Sequence, residues 1–393
     1  MRTDDILYDF WWACFARNYS MPLCRIAFEA GGARRLYGME EKQLVRLKGI
    51  SEECAQEIIR HRETFDLKEE YRRFVESGAR FIPYYSAEFP ERLRRISGHP
   101  FAIFVKGRIP PENRPSVALV GARNCSEYGR KAASDLATAL AGYGIPVVSG
   151  MALGIDGTAQ MACLNAGGES FGVLGSGVDV CYPAANRVLY ERLCEQGGII
   201  SEYGPGTKPK ACLFPARNRI IAALSDVVVV VEAREKSGTG ITVDMALEQG
   251  KDVAIVPGRI TDPLSRGCIQ LWKQGAVPVT SAEDIMEIIR DNFPLPRPEH
   301  AGETARDNCS AKEELLRPPS GADAKAAGIL TGNRKELTGE EEKLYAALDY
   351  YAKSAEQLCQ ESALNALGFM SAVMKLQVKG YAKELGKDFF VKI

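Results

Sequence analysis

The chain has 393 residues, 46% of them hydrophobic, and its 50 Lys and Arg residues nearly balance 51 Asp and Glu. This length predicts two or three domains with sizeable cores, and the near-neutral charge excludes a protein that is basic throughout. The 11 cysteines form no CxxC pair, which argues against a disulfide framework or a zinc site. No apolar run reaches the roughly 20 residues of a membrane helix, and early aspartates interrupt any signal-peptide pattern, so we expect a cytoplasmic protein without a membrane segment.

Residues 1–80 are predicted to form a helical domain. Apolar residues recur at helical spacing in five segments: Asp5–Asn18, Leu23–Ala30, Glu40–Leu47, Ser51–Arg62 and Leu67–Ser77. Within them, LVRLKGISEECAQEII resembles a SAM-like or helix-hairpin-helix unit, in which Gly49 would let a tight turn aim backbone N–H groups at a phosphate. A plain helical packing module explains the same pattern equally well.

Residues 81–292 are predicted to form a Rossmann-like α/β domain. Apolar runs ending in Gly or turn residues predict strands at 117–121, 145–150, 170–175, 198–201, 226–233 and 252–258, with an edge strand at 276–280. Helical patterns lie between them at Glu127–Tyr143, Gly157–Ala166, Asn186–Gln196, Arg217–Leu224, Thr242–Gln249 and Cys268–Gln274. This alternation is typical of a doubly wound parallel sheet with helices on both faces.

Two further segments complete the chain. Residues 293–337 are rich in Pro, Gly and charge without periodicity, which predicts a linker. Residues 338–393 return to helices, with a capping box at Ser354 and Gln357, and end in a hairpin, which suggests a winged helix. Its second helical segment has no cation before Lys375, so we expect a partner or self-association surface there rather than a helix that reads duplex DNA.

Glycine-rich loops follow the predicted strands, where open α/β sheets bind their ligands. They carry small or polar residues suited to an anion: Gly121 and Arg123, Ser149 and Gly150, Ser176, and Ser237 and Gly238. Asp156 in the second loop is interpreted as a structural helix cap.

A basic cluster follows the fourth predicted strand. No acidic residue occurs from Tyr203 to Ser225, whereas Lys208, Lys210, Arg217 and Arg219 fall in this window beside Asn218. Cations are unfavourable at the start of a helix unless an anion is bound there, and Phe214 offers a surface on which a base could stack. The alternative is that one arginine pairs with Asp226 or Glu232 and that Phe214 is a core residue.

Several chemistries have no support in the sequence. There is no P-loop motif and no GxGxxG after the first strand, and the 3 histidines lie outside the α/β core, which argues against histidine triads and histidine metal centres. We therefore expect no catalytic residue, no cofactor and no metal.

The motifs together resemble the DprA/Smf family of DNA-processing proteins. They are FPERL, VGAR, SGMALGID, VLGSGVDVCYP, SEYGPG, FPARNRIIAALS, VVVEA with SGT, and VPG with GC, over roughly Tyr84 to Ile285. The resemblance implies an extended Rossmann-like fold that usually works as a homodimer. It also implies a protein that binds and protects single-stranded DNA in natural transformation and loads the RecA recombinase onto it.

The resemblance also assigns roles to residues. Arg123, Phe214, Arg217, Asn218 and Arg219 would line the strand-binding pocket, with Lys208 and Lys210 nearby. Two positions depart from the family pattern: Leu153 stands where the family commonly has arginine, and Gln160 where it has histidine.

One enzymatic alternative stays open. The segment SGTGITVDMALEQGK loosely resembles the PGGxGTxxE signature of nucleoside-monophosphate phosphoribohydrolases, with Glu248 as the acid–base residue and Arg217 as a phosphate clamp. Ser237 and Gly238 replace the doubled glycine of that signature, which weakens the enzymatic alternative.

Overall fold

The computed structural model describes residues 5–15, 23–292, 337–386 and 388–393. The chain divides into two compact units, Met1–Ile289 and Arg290–Ile393. No helix within the described ranges has both the length and the apolar character needed to cross a membrane.

The first unit opens with six helices: α1 Asp5–Phe15, α2 Leu23–Ala30, α3 Ala33–Tyr37, α4 Glu41–Leu44, α5 Glu52–Thr64 and α6 Leu67–Glu76. The short α3 was not predicted, and the end of the first predicted helix, residues 16–18, lies outside the described residues. Between α4 and α5, Gly49 takes a φ of 97°, in the left-handed region that glycine adopts without strain. The SAM-like or helix-hairpin-helix assignment stays a prediction.

The helical segment shares its core with the central sheet. The rings of Phe10 and Phe104 lie 6.0 Å apart, and those of Phe10 and Phe81 5.4 Å apart. Trp11 and Trp12 are fully buried in the same hydrophobic cluster. Burying these large rings gives the helices and the sheet one continuous core.

A nine-stranded sheet forms the centre of the first unit. Its strands are β1 Arg80–Pro83, β2 Ala102–Gly107, β3 Val117–Val120, β4 Val147–Ser149, β5 Ser170–Val173, β6 Gly198–Ser201, β7 Val227–Val230, β8 Asp252–Ile255 and β9 Val277–Pro278. Their order is β1-β2-β6-β5-β4-β3-β7-β8-β9. Strands β3 to β9 pair in parallel, as predicted, whereas β1 and β2 add an antiparallel extension that was not predicted.

Eight helices connect or follow these strands: α7 Glu91–Arg94, α8 Glu127–Gly142, α9 Ile155–Asn165, α10 Arg187–Gln196, α11 Leu213–Ala223, α12 Gly238–Glu248, α13 Arg266–Lys273 and α14 Ala282–Asn292. The chain runs outward from β3 to β6 and then returns to β7 on the other side of β3. This reversal creates a crevice at the carboxyl ends of β3 and β7, the place where such sheets bind ligands.

Helices α11 and α12 each begin four residues before the predicted start. Proline is tolerated in the first turn of a helix, so Pro215 does not delay α11, and Gly238 opens α12 directly. The predicted helix Arg217–Leu224 was therefore too short, and Phe214 and Arg217 both lie on α11.

The second unit contains α15 Gly339–Ala347, β10 Lys353–Ser354, α16 Ala355–Ser362, α17 Ala366–Val378, β11 Ala382–Gly386 and β12 Phe389–Lys392, with strand order β10-β12-β11. The predicted capping box is confirmed, because Ser354 Oγ accepts from Gln357 N at 3.2 Å and Gln357 Oε1 accepts from Ser354 N at 3.2 Å. This element order suits a winged helix, an assignment that stays a prediction. The predicted linker, but for its last residue, lies outside the described residues.

Candidate nucleic-acid interface

A cavity of about 630 Å³ opens at the carboxyl edge of the sheet, in the crevice between β3 and β7. Three segments form most of its wall: residues 120–123 after β3, the first half of α11, and residues 237–242 at the start of α12. The cavity brings together seven of the predicted site residues: Gly121, Arg123, Phe214, Arg217, Asn218, Ser237 and Gly238.

Phe214 lies within reach of two cations. The guanidinium carbon of Arg123 is 5.6 Å from the centre of the Phe214 ring, and that of Arg217 is 5.9 Å from it. Arg123 is exposed and has no hydrogen bond or ion pair with any described residue. A cation with no protein anion beside it is available to a bound phosphate.

Tyr182 adds a second aromatic surface that the sequence analysis did not single out. Its ring centre lies 5.6 Å from that of Phe214, with 34° between the ring planes, and it is well exposed on the cavity wall. The available signal was an aromatic residue in the loop GSGVDVCYP, downstream of β5. Two aromatic rings in one cavity can stack on bases of any sequence.

Arg217 is buried beneath this surface. Its guanidinium donates to the carbonyl oxygen of Gly150 at 2.9 Å and to that of Val173. Its Nε has no hydrogen-bond partner among the described residues. Burial lowers the pKa of Arg217 to about 10, with Asp156 opposing this effect and Arg123 adding to it, so the guanidinium stays charged at neutral pH.

Asp156 lies one residue inside α9, whose N-cap is Gly154. The carboxylate accepts from the backbone N–H of Gly150 at 3.1 Å and therefore fastens the preceding loop instead of capping the helix. Burial raises the pKa of Asp156, and the neighbouring Arg217 opposes the rise. Gly150 leaves room for this pair, since a Cβ there would lie 2.7 Å from an Arg217 nitrogen and 2.8 Å from an Asp156 oxygen.

The start of α12 contributes backbone donors. Ser237 is the N-cap, but its side chain makes no capping hydrogen bond. The N–H groups of the first helical turn have no partner within the helix, and the macrodipole places partial positive charge there. Gly238 offers open space to a ligand, because nothing lies within 4 Å of where its Cβ would be.

Two predicted serines are not available to a ligand. Ser149 Oγ donates to the carbonyl oxygen of Leu119 at 2.7 Å, and Ser176 Oγ donates to that of Val180 at 3.1 Å. Both side chains are buried. The hydroxyls of Ser149 and Ser176 therefore hold neighbouring backbone segments together and are not free for a ligand, and the assignment of these residues to the interface stays a prediction.

The basic cluster is also divided. Arg219 pairs with Glu202 at 2.6 Å, so it is neutralised, although by neither of the two acidic residues considered from the sequence. Lys208 and Lys210 are exposed and alternate in sequence with Pro209 and Ala211, which do line the cavity, but neither lysine is itself a lining residue.

Gln160 has a structural position. Its Oε1 accepts from Met151 N at 3.0 Å, and its Nε2 donates to the carbonyl oxygen of Phe171 at 3.1 Å. Met151 takes a φ of 54°, a conformation that is costly outside glycine and needs such support. Leu153, two residues further on, is exposed and lies on a separate groove with Arg130 and Thr158.

Glu248 lies far from the cavity. It is exposed at the last residue of α12, whereas the cavity surrounds the first residues of that helix. Thr242 is the last residue of α12 on the cavity wall, and at 1.5 Å per residue Glu248 lies about 9 Å beyond it. Across the described part of the chain, no cluster of three or more His, Cys, Asp or Glu side chains is arranged to hold a metal.

Comparison with known families places this cavity within one matched region. The sequence model described as DNA recombination-mediator protein A matches residues 80–290, more than half of the chain. The chain belongs to that family. The matched range contains the whole sheet and every residue named above as lining the cavity.

Individual relatives agree with this assignment. The DNA processing protein DprA of Streptococcus pneumoniae is 43% identical over 198 residues, which cover 50% of this chain and 70% of that protein. The DNA processing protein DprA of Bacillus subtilis is 40% identical over 215 residues, covering 54% of this chain and 72% of the relative. The X-ray structure of the Streptococcus pneumoniae protein aligns with a TM-score of 0.62 and 32% identity, over 72% of this chain and 97% of that one.

Proposed function

We propose that the cavity between β3 and β7 binds single-stranded DNA with little sequence preference. The observation that carries the proposal is the exposed Arg123 guanidinium, which lies 5.6 Å from the Phe214 ring and has no ion pair with a described residue. A cation beside an aromatic ring suits a nucleotide, because the cation can pair with the phosphate while the ring stacks on the base.

The remaining groups fit the same ligand. The first turn of α12 offers backbone N–H groups to a phosphate, and Phe214 with Tyr182 offers two faces for stacking. The Asn218 side chain lines the cavity and can donate or accept a hydrogen bond at a base edge or sugar. The phosphate and stacking contacts do not distinguish one base from another, since every nucleotide has a phosphate and every base has a stacking face.

The buried pair beneath the cavity has a supporting role in this proposal. Arg217 connects the ends of β4 and β5 through the carbonyl oxygens of Gly150 and Val173. Its charge adds to the positive potential of the cavity, whereas its Nη1 donates to both of these carbonyl groups. Arg123 is therefore the principal cation for a DNA phosphate, whereas Arg217 holds together the backbone segments that support the bound strand.

A phosphoribohydrolase is the less favoured function. It requires a carboxylate at the ligand, but Glu248 lies six residues beyond Thr242, the last cavity residue on α12, or about 9 Å further along the helix. Asp156 is the acidic residue on the cavity wall, and its carboxylate is engaged by the Gly150 N–H beside Arg217. We therefore propose a binding protein without catalytic activity.

Membership in the recombination-mediator family suggests a role for the bound strand. We propose that the chain protects single strands in the cytoplasm during natural transformation and loads the RecA recombinase onto them. The check is RecA filament formation on strands coated with single-stranded DNA-binding protein. Addition of the chain should shorten the lag before filaments grow, and an unchanged lag would refute the loading step.

We further propose a homodimer formed through the Rossmann-like unit. Helix α13 and its surroundings expose Trp272, Ile260 and Val277, and β9 is the last strand of the sheet on that side. Exposed apolar residues beside an unpaired strand edge favour association with a second copy.

The binding proposal is tested by replacing Arg123 with alanine. The variant should bind fluorescein-labelled oligo-dT about tenfold more weakly, and its salt dependence should be shallower by roughly 0.7 in log-log slope, for one lost phosphate contact. The matched control is Arg95→Ala. Arg95 is also exposed, and its charge acts on Lys251 at the opposite edge of the sheet. Equal affinity of both variants and the unaltered chain would reject the proposed site.

A further inference from the structure

Helix α17 of the second unit is apolar on two opposite faces. One face, Phe369, Ala372, Val373 and Leu376, is buried in the core of the unit. On the other face Leu367, Met370, Met374 and Val378 are 84%, 55%, 60% and 88% exposed. A helix that is apolar all round is normally covered on every side, so the exposed face calls for a second surface.

The exposed residues form one straight stripe. At 100° per residue they fall within an arc of about 80°, and they extend about 16 Å along the helix axis. Their spacing of three, four and four residues is that of a helix-packing seam. We define these four side chains as the α17 stripe.

The stripe is complementary to itself when a second copy lies antiparallel. Leu367 then faces Val378 of the second copy, and in the same register Met370 and Met374 of the two copies lie within one residue, about 1.5 Å, of being directly opposite. Self-complementarity of this kind is what a two-fold symmetric interface requires. Antiparallel helices also place their macrodipoles favourably.

The charges beside the stripe select the same arrangement. Lys375 is exposed on one flank of the stripe. On the same flank, the Glu340 carboxylate lies 3.4 Å from the position of a Cβ on Gly368. In an antiparallel pair, each flank of the stripe faces the same flank of the second copy. The register above therefore brings the Lys375 side chain near Gly368 and Glu340 of the second copy. A parallel pair would lose this contact.

We propose that the α17 stripe is a homodimer interface in which two copies of α17 pack antiparallel. The occupant of the exposed face is a second copy of this chain, and the interface is separate from the one proposed at α13. It goes beyond DNA binding, because it gives the second unit a part in assembly.

The arrangement is tested by disulfide cross-linking of the full-length chain. Ser371 lies near the two-fold axis of the antiparallel pair, whereas the two copies of Leu367 are about 16 Å apart by helical rise. A thiol introduced by Ser371→Cys should therefore link to itself under mild oxidation, and one introduced by Leu367→Cys should not. Peptide mass spectrometry separates these links from links made by native cysteines.

Two further sets of variants test whether the α17 stripe and its flanking charges form the contact. Met370→Glu with Met374→Glu should weaken self-association at this face by about 100-fold, since two methionine side chains lose their burial, and should abolish the Ser371→Cys link. Both methionines are exposed in the single chain, so the far-UV circular dichroism spectrum of the variant should stay unchanged. Lys375→Glu should reduce the link, and Glu340→Lys in addition should restore it.

Three results would overturn the proposal. Efficient linking through Leu367→Cys would indicate a parallel pair. Linking at Ser371→Cys that survives both glutamates would show that the stripe is not the contact. Absence of linking at both positions in the purified chain would mean that this face binds a different protein.

Discussion

Arg123 and Arg217 carry the same charge in very different surroundings. Arg123 is exposed beside Phe214, whereas Arg217 is buried against Asp156 and two backbone carbonyl groups. The sequence motif that contains Arg217 marks the proposed binding site, but the same motif also supplies the buried residue that supports the wall of the cavity. Loss of DNA binding would therefore have different causes at the two positions.

Replacement of Arg217 by alanine should destabilise the protein. The change leaves Asp156 buried without its cation and the Gly150 and Val173 carbonyl groups without their donor, at a cost of about 3–5 kcal/mol of unfolding free energy. Urea denaturation followed by circular dichroism measures it, and Arg95→Ala should stay within about 0.5 kcal/mol of the unaltered chain. Unchanged stability together with lost DNA affinity would instead make Arg217 a direct DNA contact.

Asp9 should make stability depend on pH. Burial raises the pKa of Asp9 to about 6, with the Tyr85 hydroxyl opposing the rise and Asp5 adding to it. The folded state thus holds a proton that the unfolded state releases near pH 3.8. The resulting stabilisation is complete below pH 3.8 and is lost as pH rises through 6.

Asp9→Asn should remove this dependence and keep an oxygen acceptor for Tyr85. At pH 7.5 the variant should exceed the unaltered chain by up to about 3 kcal/mol in unfolding free energy, and the gain should vanish near pH 3.5. Denaturant titrations at several pH values between 3.5 and 7.5 provide the measurement. A stability difference that is constant with pH would show that Asp9 does not titrate in this range.

Among the elements, the parallel sheet was the most predictable. Each of the strands β3 to β8 is a short apolar run that ends at a turn residue. The apolar runs and the turn residues together therefore predicted all six strands. The strand β2 carries a comparable signal in FAIFVKG, but it follows a helical segment and pairs with β6, nearly 100 residues later in sequence. The alternation of strands and helices that revealed β3 to β8 does not extend to β2, because β2 is separated from β3 by residues 108–116, which form no helix.

The position of the candidate site could be predicted from the sequence, but the groups that face a ligand could be predicted only in part. Glycine loops and the basic cluster locate the cavity, because the carboxyl ends of parallel strands meet at one edge. Which hydroxyl or cation faces the ligand depends on tertiary partners such as Leu119 for Ser149 and Glu202 for Arg219. These partners are distant in sequence from the residues that they engage, so residue type alone overstated the number of groups free to bind a ligand.

Helix α13 provides a prediction about assembly. Trp272→Glu places a charge in the proposed dimer contact and should shift the molar mass of the Rossmann-like unit's dimer toward monomer in light scattering coupled to size exclusion. The experiment belongs in the Met370→Glu and Met374→Glu background, so that the α17 stripe cannot hold the copies together. Val188→Glu, an equally exposed apolar position on α10, should leave the mass unchanged. A dimer that persists with Trp272→Glu would place the contact elsewhere.

The whole molecule is nearly neutral, with a formal charge of −1, and its DNA affinity must come from one local site. Three to five neutralised phosphates would give a log-log salt slope of about −2 to −3.5. A broadly basic protein would show a steeper slope and equal affinity for duplex DNA. Strand preference therefore separates a cavity that stacks bases from general attraction to phosphates.

The most direct measurement is fluorescence anisotropy of labelled oligo-dT titrated with the full-length chain and competed with duplex DNA of equal length. We predict tight binding of the single strand that duplex fails to displace, with the salt slope given above. Absent binding, or equal competition by duplex, would contradict a strand-binding cavity. The cavity would then be assigned to a small phosphorylated ligand, and release of free base from a nucleoside monophosphate would become the relevant assay.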